Sequence, residues 1–389
     1  MQTNDSTKQS TRCIFLLAGE ASGDLYGGML VEALRKEDPN LTVIAWGGEH
    51  MERAGARVLR HYKTMAFMGF LEVIKNLGTI RALFQECEQI LHLHKPMAFV
   101  GIDYPGFNLK MAKKAQLLGM VTHHYISPSL WAWNKKRVHT IRQHIDQLHV
   151  ILPFEQKWFA EHDVDVNFVG HPLLELQESS AESSAESSAE SIRKSDVKKA
   201  MLALVPGSRK QEVERMLPVF LEVARQLPNF TPIVAGAPGL DPDHYQMATD
   251  EGVEIRFEST RTLMQEADVG LVTSGTATLE AALLGLPQII CYKTSGVTYR
   301  IAKILARSKW IGLPNILFQE SIVPERIQQE CTPEQLILDI QLLHNSKELL
   351  PDGLAQLKRV ETLKRQLQGP GIPSELVARA ILNQSPLSA

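Results

Sequence analysis

At 389 residues the chain is too long for one ordinary hydrophobic core, so two domains are expected. A net charge of -3 gives no electrostatic footing for a nucleic-acid partner. The four cysteines, Cys13, Cys87, Cys291 and Cys331, form no C-x-x-C pair, which argues against a disulfide scaffold or a zinc site and fits a reducing cytosol.

Residues 1–12 are polar and lack an apolar signal core, so secretion is not expected. No apolar run reaches about 18 residues, so no helix is expected to span a bilayer. Short apolar runs at 13–18, 42–46, 97–102, 121–125, 147–152 and 166–169 each end in a Gly, Pro, Asp or Ser loop. Helical patterns fill most of the intervals. This alternation predicts a parallel sheet covered by helices, with polar residues gathered at the strand carboxyl ends.

Residues 178–191 read ESSAESSAESSAES. Without a large apolar side chain, the repeat buries too little surface to offset the entropy of ordering, and it reads as a linker or insertion. Strand patterns then resume at 201–205, 231–235, 253–257, 268–272 and 288–292, and from about 333 the chain reads as helices. Two such halves predict a cleft between α/β domains.

The loops that end these strands carry the candidate chemistry. In TSGTATLEAALLGLP, residues 273–287, a helix start of Ser274, Gly275 and Thr276 offers free N–H groups and a positive dipole end to a phosphate. Glu280 follows Thr276 by one helical turn, on the same face, placed for a ribose. The structural alternative is a polar cap, although Ala277 breaks capping-box spacing for Glu280. The loop 205–210, VPGSRK, adds Arg209, whose guanidinium suits a diphosphate. Ser208 and Gln211 there have capping-box spacing.

The turn 19–24, GEASGD, suits backbone phosphate contacts or a helix cap by Ser22 or Asp24. Asp103 follows a buried strand and is a general-base candidate or a turn former. The loop 127–133, SPSLWAW, lines a pocket or packs a domain edge. The 13 histidines show no H-E-x-x-H pattern, so no metal is expected. MAFMGFLEVIKNL, 65–77, carries an apolar stripe of Phe67, Phe70, Leu71, Ile74 and Leu77, widened by Met65, Met68 and Val73. With Arg57, Arg60, His61, Lys63, Lys75 and Arg81 nearby, it fits a membrane interface or a core helix.

LLAGEASGD (16–24), VGIDYPGFN (100–108), YISPSLWAW (125–133), ILPFE (151–155), FVGHPL (168–173), PGSRKQEV (206–213), SGTATLEAALLGLP (274–287) and LPN (313–315) occur in that order. The set closely resembles the lipid-A-disaccharide synthases of Gram-negative bacteria. It covers most of the chain from about 13 to 315, and the serine-rich repeat is not part of the pattern.

The resemblance implies an α/β fold of two Rossmann-like parallel-sheet domains, the glycosyltransferase-B architecture, with a helical C-terminus. Domains are expected at 1–177, 199–345 and 346–389, with a linker at 178–198; the last segment is expected to cross to the first domain or to a second subunit. It implies an inverting, metal-independent glycosyltransferase without a cofactor. The substrates would be UDP-2,3-diacylglucosamine and 2,3-diacylglucosamine 1-phosphate (lipid X), the products a β-1,6 disaccharide phosphate and UDP.

Asp103 and Arg209 would be catalytic. Gly207, Ser208, Arg209, Ser274, Gly275, Thr276, Thr278, Glu280 and Asn315 would bind the UDP donor. Gly19, Glu20, Ser22, Gly23 and Asp24 would face the acceptor. Phe67, Met68, Phe70, Leu71 and Ile74 would dock on the cytoplasmic face of the inner membrane, with no nucleic-acid partner and a homodimer left open. The rival readings are a UDP-sugar 2-epimerase, another UDP-sugar glycosyltransferase, and a non-catalytic membrane-binding protein.

Overall fold

The computed structural model describes residues 12–65, 77–131, 135–176, 199–237, 239–257, 259–294 and 309–383. The apolar helix expected at 65–77, with Phe67, Met68, Phe70, Leu71 and Ile74, falls almost wholly outside these residues, as do Trp133 and the serine-rich repeat.

The chain divides into two compact units, 1–172 with 369–389, and 173–368. The first holds a seven-stranded sheet in the order β3-β2-β1-β4-β5-β6-β7. Its strands are β1 Cys13–Ala18, β2 Thr42–Gly47, β3 Arg57–His61, β4 Ala98–Ile102, β5 Val121–Tyr125, β6 Gln147–Val150 and β7 Val166–Phe168. Every pairing is parallel. All six residues of β1 are buried, as expected of a central strand covered by helices on both faces. One face packs Phe15, Trp46, Phe99 and Phe107 with Met111 and Leu91.

β3 escapes the sequence reading. It is a half-exposed edge strand, RVLRH, without an apolar run. Arg60 and His61 of this strand, and Lys63 just after it, are paired within the unit: Arg60 forks onto Glu86 at 3.0 and 2.5 Å, and His61 and Lys63 both reach Glu49 at 3.0 Å. Three of the six basic residues noted beside 65–77 are therefore paired with carboxylates.

The chain's last helix belongs to this unit. Pro373–Leu382 packs on the helix Ala21–Glu37, with Glu375 on Lys36 at 2.7 Å and Arg379 on Glu37 at 2.9 Å.

The second unit repeats the plan with six parallel strands in the order β10-β9-β8-β11-β12-β13. They are β8 Ala200–Val205, β9 Phe230–Gly236, β10 Glu254–Phe257, β11 Val269–Thr273, β12 Gln288–Tyr292 and β13 Glu325–Ile327. The amphipathic helix Lys210–Gln226 buries Val213, Met216, Leu217, Phe220 and Leu221 against the sheet. β13, a three-residue edge strand, is also invisible to apolar periodicity.

Candidate active site

Both sheets reverse direction of growth at a central pair of strands. In the first unit β1 and β4 are neighbours, with β2 on one side and β5 on the other; in the second the pair is β8 and β11. The loops leaving such a pair run to opposite faces and open a crevice at the strand carboxyl ends. Four of the loops singled out in the sequence leave these four strands.

In the first unit β1 delivers the turn 19–24 and β4 delivers Asp103. Asp103 and Tyr104 both adopt left-handed backbone, with φ of 46° and 47°. Neither is glycine, so the pair stores strain, and the surroundings must hold it. Asn108, fully buried in the helix Pro105–Leu117, does so. Its amide donates to the carbonyls of Asp103 at 2.7 Å, Leu17 at 3.2 Å and Ile102 at 3.3 Å. The Asp103 N–H donates to the Tyr125 carbonyl at the end of β5, at 2.9 Å.

The Tyr104 ring lies over Gly19: a Cβ there would stand 2.3 Å from the ring carbon Cγ. The Tyr104 hydroxyl donates to the Met65 carbonyl at 2.9 Å. Glycine at 19 is therefore a requirement of close approach. Desolvation, with the Glu20 carboxylate nearby, pushes the Asp103 carboxyl up to about 6. Burial and Glu20 push the Tyr104 phenol up as well.

The five residues expected on the acceptor side separate. Glu20 and Gly19 border Asp103 and Tyr104 as described. Ser22, half-buried, and Gly23, buried, lie in the first turn of the helix Ala21–Glu37. Asp24 has a structural task. Its carboxylate is buried and accepts the N–H groups of Gly48 at 2.6 Å, His50 at 3.0 Å and Met51 at 3.3 Å. It caps the short helix Glu49–Arg53, because the β2 loop passes directly over the first turn of the preceding helix. Neither Ser22 nor Asp24 caps its own helix, whose N-cap residue is Glu20.

In the second unit β8 delivers Gly207, Ser208 and Arg209, and β11 delivers Ser274, Gly275 and Thr276. Some 67 residues apart in sequence, the two segments leave adjacent strand ends, since Val205 pairs with Val272. Gly207 has φ 118°, and a Cβ there would lie 2.6 Å from Glu212. Only glycine meets both conditions.

The capping box expected of Ser208 and Gln211 does not form. The helix starts one residue later, with Arg209 at the N-cap. Glu212 takes over: its carboxylate accepts the Ser208 N–H at 3.1 Å and reaches Arg209 Nη1 at 3.3 Å. Arg209 remains about half exposed at the helix start.

Gly275 is the N-cap of Thr276–Leu283, and it and Thr276 are exposed. Ser274 donates its hydroxyl to the Ile311 carbonyl at 3.0 Å. Thr278 is buried and donates to the Gly275 carbonyl at 2.8 Å, so its hydroxyl shapes the turn. Glu280 pairs with Arg261 at 3.1 Å, a partner not anticipated from the sequence. Desolvation pushes the Glu280 carboxyl up, while the Arg261 charge and hydrogen bond oppose it.

Asn315 is engaged within its own unit. Its amide donates to the Val323 carbonyl and to Glu325, both at 2.8 Å, and accepts the N–H groups of Ile322 at 2.8 Å and Val323 at 2.9 Å. The turn 322–325 takes all four hydrogen-bonding positions of the side chain, which thereby supports the loop.

Of the histidines, His123 and His149 form a buried pair across β5 and β6, with ring nitrogens 3.1 Å apart, and burial pushes both down to about 3. They are neutral core side chains. Asn108 and Arg261 were the residues missed. The one available signal was an asparagine inside a helix, where its side chain competes with the backbone. No helix among the described residues is long and apolar enough to cross a membrane.

The family model described as lipid-A-disaccharide synthetase matches residues 14–367. The chain is 37% identical to the lipid-A-disaccharide synthase of Trichlorobacter lovleyi over 92% of this chain and 94% of that one. It is 38% identical to that of Syntrophus aciditrophicus, covering 85% and 88%. Among solved structures, a UDP-GlcNAc 2-epimerase from Neisseria meningitidis bound to UDP-GlcNAc superposes with a TM-score of 0.57 at 12% identity, covering 96% of this chain and 100% of that one. The glycotransferase of kitacinnamycin superposes at 0.58 and 14%, covering 95% and 98%. These two share the fold, two α/β units with parallel sheets. With the match spanning nearly the whole chain, the protein belongs to the lipid-A-disaccharide synthase family, glycosyltransferases of lipid A biosynthesis.

Proposed function

We propose that the protein transfers 2,3-diacylglucosamine from its UDP derivative to the 6-hydroxyl of 2,3-diacylglucosamine 1-phosphate. The hydroxyl oxygen attacks the anomeric carbon, the bond to the UDP β-phosphate breaks, and its electron pair leaves on the diphosphate. The proton passes to Asp103. A single displacement inverts the α-linked donor to a β-1,6 product.

The observation that supports this most is the placement of two phosphate-suited loops at one strand pair, β8 and β11. Arg209 and the exposed start of the helix Thr276–Leu283 offer a guanidinium and helix N–H groups to the departing diphosphate. Gly207 and Ser208 shape that loop, and Ser274 and Thr278 shape the facing one. Glu280, held by Arg261, accepts the ribose hydroxyls. Asp103, pushed up to about 6, is ionised at neutral pH yet more basic than an ordinary aspartate. Glu20, Ser22 and Gly19 border the acceptor. The segment carrying Phe67, Met68, Phe70, Leu71 and Ile74 docks on the cytoplasmic face of the inner membrane, where acylated substrates reside.

The test supplies UDP-2,3-diacylglucosamine and the monosaccharide 1-phosphate in detergent. Disaccharide phosphate and UDP should form together, one for one. Epimerisation of UDP-GlcNAc without disaccharide would instead assign the rival activity.

A further inference from the structure

A third strand end in the first unit carries a group that the reaction above does not use. β6 runs into 151–155, ILPFE, and Glu155 lies in the first turn of the helix Pro153–Ala160. Its side chain is 1% exposed. One carboxylate oxygen accepts the Ser127 hydroxyl at 2.5 Å and the Trp131 indole N–H at 3.3 Å; the other accepts the Leu152 N–H at 3.3 Å. Ser127 and Trp131 belong to the loop that leaves β5. That loop begins at Ile126, a β-branched residue at φ 69° whose N–H donates to the His149 carbonyl of β6 at 3.0 Å. A β-branched side chain in left-handed backbone is strained and persists only where its neighbours hold it. β4, β5 and β6 are consecutive in the sheet, so this loop stands beside the strand end that carries Asp103.

We propose that Glu155 is a positioning residue: its carboxylate fixes the Ser127–Trp131 loop at the sheet edge bearing Asp103, and binding a proton there loosens the loop. Among the described residues, the groups facing Glu155 are Ser127, Trp131 and the N–H groups of Ile151 and Leu152. All are neutral donors, and none supplies a compensating charge. A proton cancels the charge that strengthens these bonds: on the oxygen shared by Ser127 and Trp131 it turns the serine hydroxyl into an acceptor and faces the indole N–H, and on the other it faces the Leu152 N–H. Burial pushes this carboxyl up to about 7 despite the four donors, so the exchange falls at physiological pH. Trp131 also meets Phe154 edge-on with ring centroids 5.2 Å apart, so loosening the loop changes the indole's surroundings. The link to turnover rests on Asp103 being the base; the state of the loop does not.

Two measurements on the full chain separate these. The first is tryptophan emission from pH 5.5 to 9 without substrate, with the Trp131 part isolated by difference against Trp131→Phe. A transition near pH 7 is expected in the parent, lost in Glu155→Gln, and moved upward by roughly half a unit or more in Ser127→Ala, which removes a donor to the carboxylate. The second is the acid limb of kcat/KM for disaccharide formation. Glu155→Gln is neutral at every pH, so its kcat/KM should already be lowered at pH 8, where the parent carboxylate is ionised, and its acid limb should follow Asp103 alone. A Trp131 transition that survives in Glu155→Gln, or does not move in Ser127→Ala, overturns the proposal. So does a Glu155→Gln variant that keeps the parent's kcat/KM at pH 8. Should no disaccharide form with any variant, the reaction assignment fails while the emission transition still decides the role of Glu155.

Discussion

The amide of Asn108 donates to the main-chain carbonyl of Asp103 at 2.7 Å, tying a buried helix side chain to a residue held at φ 46°. The same amide reaches the carbonyls of Leu17 and Ile102, so one side chain joins the ends of β1 and β4. Asn108→Ala leaves these carbonyls short of a donor and frees a strained turn. A loss of about 2 kcal/mol is expected in urea unfolding. kcat should fall by more than tenfold while UDP affinity, measured by calorimetry, holds.

Asp103→Ala should nearly abolish turnover while UDP still binds. Lost UDP binding in that variant would move Asp103 to the donor side.

The pH behaviour of Asp103 has a definite sign. Its carboxyl is raised from 3.8 to about 6 in the folded protein, so the folded state holds the proton more tightly than the unfolded one. Its contribution to stability is complete below pH 4 and is lost as pH rises through about 6. Asp103→Asn, which cannot ionise, should therefore be more stable than the parent at pH 8. The gain is about 1–2 kcal/mol after allowing for solvent screening. It should shrink towards zero near pH 4. Thermal melts at the two pH values check this; a gain that grows as pH falls would contradict it.

Arg261→Ala leaves the Glu280 carboxylate desolvated without its counter-charge. Both side chains retain some exposure, so the expected destabilisation is about 1–2 kcal/mol, below that of a fully buried pair. KM for the UDP-sugar should rise about tenfold, and Glu280→Gln should raise it similarly with less loss of stability. Steady-state kinetics with donor varied is the measurement. Unchanged KM in both variants would remove Glu280 from the ribose.

Gly207→Ala asks alanine to adopt φ 118° with its Cβ 2.6 Å from Glu212. Strain of about 1–3 kcal/mol is expected, together with weaker UDP binding, because the β8 loop must shift. The thermal melt and a UDP titration report the two effects separately.

Polar substitutions at Phe67, Phe70 and Ile74 should weaken co-sedimentation with anionic liposomes while the far-ultraviolet circular dichroism and melting temperature hold. Since Arg60 and Lys63 are engaged by Glu86 and Glu49, raising salt should weaken binding less than those substitutions do. Unfolding of the variants would make the segment a core helix.

The succession of buried runs and polar loops by itself determined the two parallel α/β units. A central strand such as CIFLLA must be covered on both faces, and that requirement is written in its composition. The same pattern placed Asp103, Gly207 and Ser274 at strand ends, since local turn chemistry marks them. Edge strands β3 and β13 were illegible because they bury too little to need an apolar run. Tertiary structure alone decided which distant side chains meet. Asp24 and Asn315 carry the residue types of a ligand site, yet chain crossings direct backbone N–H groups onto both. Arg261 reaches Glu280, and Glu155 gathers Ser127 and Trp131, because parallel strand order makes neighbours of segments 19 to 28 residues apart. A polar group's partner is set by where the sheet carries it, and no local pattern in the sequence encodes that position.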